Sequence, residues 1–257
     1  MRIVVLTNKG SIFGKKILNA FIADNIKIEA VVVIQQPAAY YWKLFSSVCK
    51  RVGLIDAIRF SIRRLAIQGI KKEPDAWNGA RFLKKYEDMG VKLFYSKATN
   101  SMQTRSILNS ISPDVLVLGQ TGIVCKDILN IPKKGSLNVH PGILPYYRGI
   151  DCALWAIYDG EFDKIGNSVH WVDEGVDTGN IIVQKKYSFL GNESIETIED
   201  KLYDQGVIMM RDAVSEMTKD NITVGEAQDR GIGKKCFKMP YRSETAAKKR
   251  LREFLKQ

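Results

Sequence analysis

Short apolar runs alternate with segments of helical periodicity through the first half of this chain, and that rhythm restricts its fold more than any other feature. Residues 2–7, 27–34, 91–95, 114–118 and 136–139 are strand-length runs, and 11–23, 76–89 and 101–111 carry the helical spacing. The runs are apolar at consecutive positions, as in strands buried on both faces. A β-α-β-α order of such strands predicts an α/β fold: a Rossmann-like, open, mostly parallel sheet with helices on both faces. Pro113 and Pro132 fall in the connections, where a missing N–H costs nothing. Past His140 the pattern changes. A helix is expected over 150–158, two strands over 167–172 and 180–189 joined by the loop DEGVDTG, and a long helix over 194–219. Acidic residues from Glu193 to Asp200 suit that helix's N-terminal end.

A segment from about 41 to 72 interrupts the rhythm between the second and third strands. Val52, Ile55, Ile58, Ile62 and Leu65 stand at helical spacing in it, with cations between them, so a helical insertion is expected. The resulting organisation is a catalytic domain over 1–217, carrying this insertion, and a short basic extension over 218–257. A chain of 257 residues buries enough surface to fold without disulfides. Cys49, Cys125, Cys152 and Cys236 form no Cys-x-x-Cys pair, so reduced thiols and no metal site are expected. The first apolar run is too short for a signal peptide and no run reaches a membrane span, which leads to the expectation of a cytoplasmic protein.

The net charge of +11 is unevenly spread. Residues 41–72 hold eight Lys/Arg against Asp56 alone, and residues 230–257 hold ten against Glu244 and Glu253. The remainder is mildly acidic. Anionic partners or simply solvated basic helices both fit this distribution.

The stretch SLNVHPGILPYYRG contains one of only two histidines, His140, with Asn138 two positions before it. Residues i and i+2 of a strand face the same way, so the two side chains project together. Pro141 holds His140 extended at the strand end, and Pro141-Gly142 then turns the chain away. Ligands of open α/β sheets bind beyond the C-terminal strand ends, where this pair stands. An asparagine amide can donate to a developing oxyanion, and a histidine can donate or move a proton. Asp173, Glu174 and Asp177 of the later loop are candidate carboxylates to orient that histidine.

SLNVHPGILPYYRG resembles the Asn-x-His…Leu-Pro-x-Tyr/Trp-Arg-Gly signature of the folate-dependent formyltransferases, and GNSVHWVDEGVDTGNII resembles their second signature. The resemblance runs over about residues 1–217. It implies transfer of a formyl group from N10-formyltetrahydrofolate, as co-substrate, to a primary amine. By it Asn138, His140 and Asp177 match catalytic positions. Gly122, Ile123 and Val124 match main-chain contacts to the pterin, with core packing the alternative for Ile123 and Val124. Asp173, Glu174, Gly175 and Val176 would wrap the other edge of the pterin. Gly122 stands where some relatives carry a large basic side chain, and contacts made by such a chain are then absent. His170 matches no catalytic position and reads as a structural strand residue.

The amine is less legible. TNKGSIFG resembles the phosphate loop of the glycinamide ribonucleotide enzymes, with Gly10 and Ser11 at a helix N-terminus. It is not a G-x-G-x-x-G fingerprint, so a nicotinamide enzyme is not expected. Tyr146, Tyr147 and Arg148 are placed near the acceptor entrance, or else pack the loop. Too few residues follow Met217 for the barrel of the tRNA-specific members, which makes nucleic acid the less expected partner. Length and charge favour the sugar-nucleotide N-formyltransferases, which build surface polysaccharide, so the expected acceptor is a nucleotide-linked amino sugar. Methionyl-tRNA and glycinamide ribonucleotide remain alternatives. So do a formyltetrahydrofolate hydrolase, which usually bears a regulatory domain before the first strand, and a non-catalytic folate-binding module. The basic insertion is a candidate for peripheral membrane contact, and a homodimer stays open.

Overall fold

A computed structural model describes residues 1–70, 80–219 and 224–256. The elements in chain order are β1 (Ile3–Asn8), α1 (Ile12–Ala23), β2 (Ile28–Ile34), α2 (Ala38–Val52), α3 (Leu54–Ile70), α4 (Ala80–Asp88), β3 (Lys92–Ser96), α5 (Met102–Ile111), β4 (Val115–Gly119) and α6 (Lys126–Leu129). They continue with β5 (Gly135–His140), β6 (Tyr147–Gly149), α7 (Cys152–Asp159), β7 (Gly166–Trp171), β8 (Ile181–Lys186), α8 (Ile195–Thr218), β9 (Lys234–Cys236) and α9 (Tyr241–Phe254). Positions 76–79 of the expected helix 76–89, residues 71–72 of the insertion, and 220–223 and 257 of the extension lie outside the described residues.

The main sheet has seven strands in the order β3-β2-β1-β4-β5-β7-β8. The first five are parallel, and β7 runs antiparallel to both β5 and β8. The order reverses between β1 and β4, which leaves a crevice at their C-terminal ends. Strand alternation builds two cores from one sheet. Ile3, Val5, Val31, Val33, Val117, Leu137 and Val139 pack under α1 and α8. Val4, Leu6, Val32, Ile34, Leu116 and Leu118 pack on the other face with Leu108 and Ile111 of α5 and Ile128 of α6. Ser11 and Ser194 accept from the N–H groups of Gly14 and Thr197 and so cap α1 and α8.

Two elements depart from the sequence expectation. The strand expected over 180–189 stops at Lys186, which pairs with Gly166 where its partner β7 begins, and Glu193 then accepts from the N–H groups of Leu190 and Gly191 at 2.6 and 3.0 Å. The insertion is a hairpin broken at Gly53, whose φ of +86° ends α2. A further feature is a two-stranded parallel sheet, β6 with β9. It brings the C-terminal extension onto the chain just after His140. Cys236, Met239, Ala247 and Leu251 of the extension are buried with Cys152, Leu154 and Ile157 of α7 in a third core.

Candidate active site

Leu137 and Val139 face α1 and α8, so Asn138 and His140 point to the opposite face of β5. There His170, directly across from Asn138 in the β5–β7 ladder, joins them. Asp177 arrives from the β7–β8 loop, in a left-handed conformation at φ +53° that short polar residues tolerate. Its Oδ2 lies 3.3 Å from His140 Nδ1, and its Oδ1 lies 3.6 Å from His170 Nε2. The backbone N–H of Gly149 donates to Oδ2 at 2.9 Å. The structure thus brings together the three residues expected to be catalytic.

His140 is almost fully buried and held between two acceptors. Its Nε2–H donates to the Tyr147 carbonyl at 2.8 Å, while Nδ1 faces the Asp177 carboxylate. Burial pushes the imidazole below its ordinary pKa, and the Asp177 charge offsets only part of that. The neutral ring consequently leaves one lone pair facing a carboxylate, a contact that only protonation relieves. Burial also opposes the charge on Asp177, but the positive charge that His140 and then His170 bring when protonated, with the Gly149 N–H, outweighs it and holds the carboxyl at about 2. The site is therefore an ionised carboxylate beside a histidine poised to gain a proton when negative charge develops nearby.

His170 is the residue that sequence reasoning placed outside the site. Its Nδ1–H donates to the Trp171 carbonyl at 2.7 Å, leaving Nε2 to accept from Asn138 Nδ2 at 3.3 Å. One amide hydrogen of Asn138 is fixed in this way and the other is left for a ligand. The only sequence signal would have been cross-strand register, which a single sequence does not print. His170→Phe is expected to lower kcat about tenfold, the worth of one orienting hydrogen bond, with little change in KM. Steady-state kinetics alongside thermal melts check this.

Gln228, from the extension, is a second such residue. Its Nε2 donates to the carbonyls of Asp177 and Gly179 at 3.1 and 2.5 Å. Arg230 pairs with Asp173 Oδ2 at 2.6 Å, and Asp173 Oδ1 accepts from Gly175 N–H and the Thr178 hydroxyl. Asp173 thus braces its own loop. Glu174 is exposed and reaches Lys126 Nζ at 2.5 Å, tying the 173–177 loop to the segment after β4. Gly175 and Val176 lie on the same loop, at the rim.

On the other rim, Ile123 is 81% exposed, so core packing does not explain it, whereas Val124 is buried beside α5 and α6. The Ile123 carbonyl accepts from Asn100 Nδ2 at 2.9 Å. Beside Gly122 a side chain would begin 3.7 Å from the Tyr40 hydroxyl of α2. The first turn of α2 therefore stands next to Gly122.

Two acceptor-side expectations need correction. The Tyr147 ring is buried in the third core, its hydroxyl shared between Asp159 and Glu161 at 2.9 and 3.0 Å. Strand alternation turns Tyr147 inward and leaves Tyr146 outward, with Lys164 Nζ 4.0 Å over its ring. Tyr146 and Arg148 keep outward positions, and Arg148 donates to the Ile232 carbonyl. Ser11 is the second case: its N–H donates to Asn8 O, and its hydroxyl caps Gly14 and reaches Gly119 O. Its polar groups serve the turn rather than a phosphate, while neighbouring Gly10 is exposed. Asn8, at the end of β1, has a buried Oδ1 without a partner among the described residues.

Residues 55–214 match the Formyl transferase family. Methionyl-tRNA formyltransferase of Ehrlichia ruminantium (strain Gardel) is 31% identical over 134 residues, which is 52% of this chain and 43% of that protein. The enzyme of the same name from Thermodesulfovibrio yellowstonii is 38% identical over 118 residues, 45% of this chain and 38% of its own length. The match thus spans less than half the length of these curated relatives. The phosphoribosylglycinamide formyltransferase structure from Anaplasma phagocytophilum superposes with a TM-score of 0.60 at 17% identity, covering 92% of this chain and 99% of that one. The N-formyltransferase structure from Helicobacter canadensis, in complex with folinic acid and dTDP-3-aminofucose, gives 0.59 at 15% identity, over 98% and 81%. At those identities the structures speak for the fold alone, but the family match covers more than half the chain and includes the strands and loop that carry Asn138, His140 and Asp177, so the protein belongs to the formyl transferase family.

Proposed function

We propose that this protein transfers a formyl group from N10-formyltetrahydrofolate to the primary amine of a nucleotide-linked amino sugar. The observation that carries the reaction is the meeting of Asn138, His140 and Asp177 at the C-terminal end of β5, with one amide hydrogen of Asn138 uncommitted. The folate, when bound, supplies the formyl carbon and the N10 leaving group. The exposed rim at Gly122–Ile123 and the half-exposed loop Asp173–Val176, tied by Lys126 and Glu174, flank the crevice expected to hold it.

The chain's own groups then act as follows. As the neutral amine attacks the formyl carbon, negative charge grows on the carbonyl oxygen, and Asn138 Nδ2 donates to it. The same charge raises the proton affinity of His140, whose protonated ring Asp177 stabilises. Asp177 holds a water that takes the proton released by the amine and delivers it to N10 as the C–N10 bond breaks, so the carboxylate stays ionised. Asn138→Ala is expected to lower turnover at least ~100-fold with the fold retained, the usual worth of an oxyanion donor.

The sugar-nucleotide acceptor is supported by the fold shared with an N-formyltransferase bound to dTDP-3-aminofucose and by the outward ring of Tyr146. A second reading, methionyl-tRNA as acceptor, rests on the sequence relatives, which bear that name. Formyltetrahydrofolate offered with nucleotide amino sugars, glycinamide ribonucleotide and charged initiator tRNA side by side separates them. Formylation of an amino sugar is the expected result. Turnover on the tRNA alone replaces the acceptor, and formate release without any amine replaces transfer by hydrolysis.

A further inference from the structure

Among the described residues, one side of the α2–α3 hairpin packs on the C-terminal extension. Val48 and Ala57 are buried there, and Asp56 accepts from the Tyr241 N–H at 3.0 Å. The Arg51 and Arg59 guanidinium groups lie 4.6 and 4.1 Å from the ring centroids of Phe237 and Tyr241, and Lys238 Nζ lies 4.7 Å from that of Phe60. These contacts all reach the C-terminal extension.

The outward side has a different composition. Leu54, Ile55, Ile58 and Ile62 are 61, 70, 44 and 61% exposed. The spacing 55, 58, 62 makes one continuous stripe along α3. Single exposed apolar residues need no explanation, but a stripe of them does. Trp42 of α2 is 70% exposed, and with Lys43, Ser46, Ser47 and Lys50 it lines a shallow groove. The one acid of the described hairpin, Asp56, is engaged with Tyr241. An apolar stripe, an exposed indole and cations without an outward acid are the composition of a helix that lies in a lipid headgroup layer.

We propose that this hairpin docks the protein on an anionic bilayer, with the isoleucine stripe at the acyl boundary and Lys43 and Lys50 at the headgroups. A second copy of the chain would oppose two faces of the same positive sign, which repel. A nucleic acid would answer the cations and leave the isoleucines wet. An anionic bilayer answers both. No described helix is long and apolar enough to cross a membrane, so the contact is surface-bound. Tyr40, in the first turn of α2, borders Gly122, so docking holds the candidate folate crevice close to the bilayer. The proposal does not depend on which amine is formylated.

The test is co-sedimentation of the full chain with phosphatidylcholine vesicles containing about 30% phosphatidylglycerol, an anionic surface of ordinary strength. Binding at low salt that weakens at high salt is the expected result. Ile55→Ser/Ile58→Ser/Ile62→Ser together, and separately Lys43→Glu/Lys50→Glu, are each expected to reduce binding at least ~10-fold. Formyl transfer to a water-soluble amine and the thermal midpoint should stay unchanged in both. Absence of binding at low salt overturns the proposal, as does binding that the triple serine variant leaves intact. A dimer in sedimentation velocity that the serine variant dissolves, without vesicle binding, assigns the face to a second copy. Retention of tRNA lost in Lys43→Glu/Lys50→Glu, again without vesicle binding, assigns it to nucleic acid.

Discussion

Asp177→Asn is expected to lower kcat/KM for formyl transfer by at least ~100-fold while the protein keeps its fold, about the cost of removing a preorganised charge from a reaction centre. Asparagine fits the left-handed backbone at this position and can still accept from the Gly149 N–H, so geometry survives and only the charge is lost. His140 then loses the charge that most favours its protonation, and burial, which pushes its pKa down, is opposed only by the Tyr147 carbonyl. Kinetics across pH combined with circular dichroism decide the matter. Near-normal turnover in Asp177→Asn removes Asp177 from the reaction. The same substitution has a signature in stability. The Asp177 carboxyl is held at about 2, below its ordinary 3.8. The stability it contributes is present above roughly pH 4 and is lost as the pH falls through that window towards 2. Acid unfolding of the Asn variant should accordingly be less steep between those limits.

Gly149→Ala is expected to cost about 3 kcal/mol and to lower the melting temperature by roughly 6–12 °C. The backbone at Gly149 has φ +106°, which an alanine reaches only with strain. A Cβ there would also sit 2.3 Å from the carbonyl oxygen of Cys236, a backbone atom with little room to retreat. The β6–β9 pairing has to open, and with it moves the N–H that holds Asp177 Oδ2. Activity should therefore fall together with stability, although residue 149 has no side chain to offer a substrate. Thermal melts and initial rates on the same preparation test this. An unchanged melting temperature means that β6 and β9 do not support the site. Gly142→Ala makes an informative control. Its Cβ would meet His140 Nε2 at 2.7 Å without the same backbone strain, so it should impair turnover more than stability.

The parallel strands were legible because their side chains have no solvent face. A strand covered on both sides must be apolar at consecutive positions, and that run survives any rearrangement of its neighbours. Asn138 and His140 were legible for a related reason: period-2 alternation is local, so two polar residues among apolar ones share a face wherever the strand ends up. The β6–β9 sheet was not legible. Three-residue strands carry no periodicity, and their pairing joins segments more than 80 residues apart. Tyr147 was left open between the acceptor entrance and loop packing because which of two adjacent tyrosines turns inward depends on that pairing. His170 and Gln228 were missed because their roles exist only across a ladder or between distant segments.

The sequence by itself determined the α/β class, the position of the insertion and the pairing of Asn138 with His140, since each rests on local periodicity, while Asp177 was singled out only by resemblance to a family motif. The tertiary structure decided how that trio is held. Asp177 is positioned by a glycine N–H on β6 and by Gln228 from the extension, and Asn138 by a histidine across the ladder. These are long-range hydrogen bonds, and their geometry depends on strand register and chain closure.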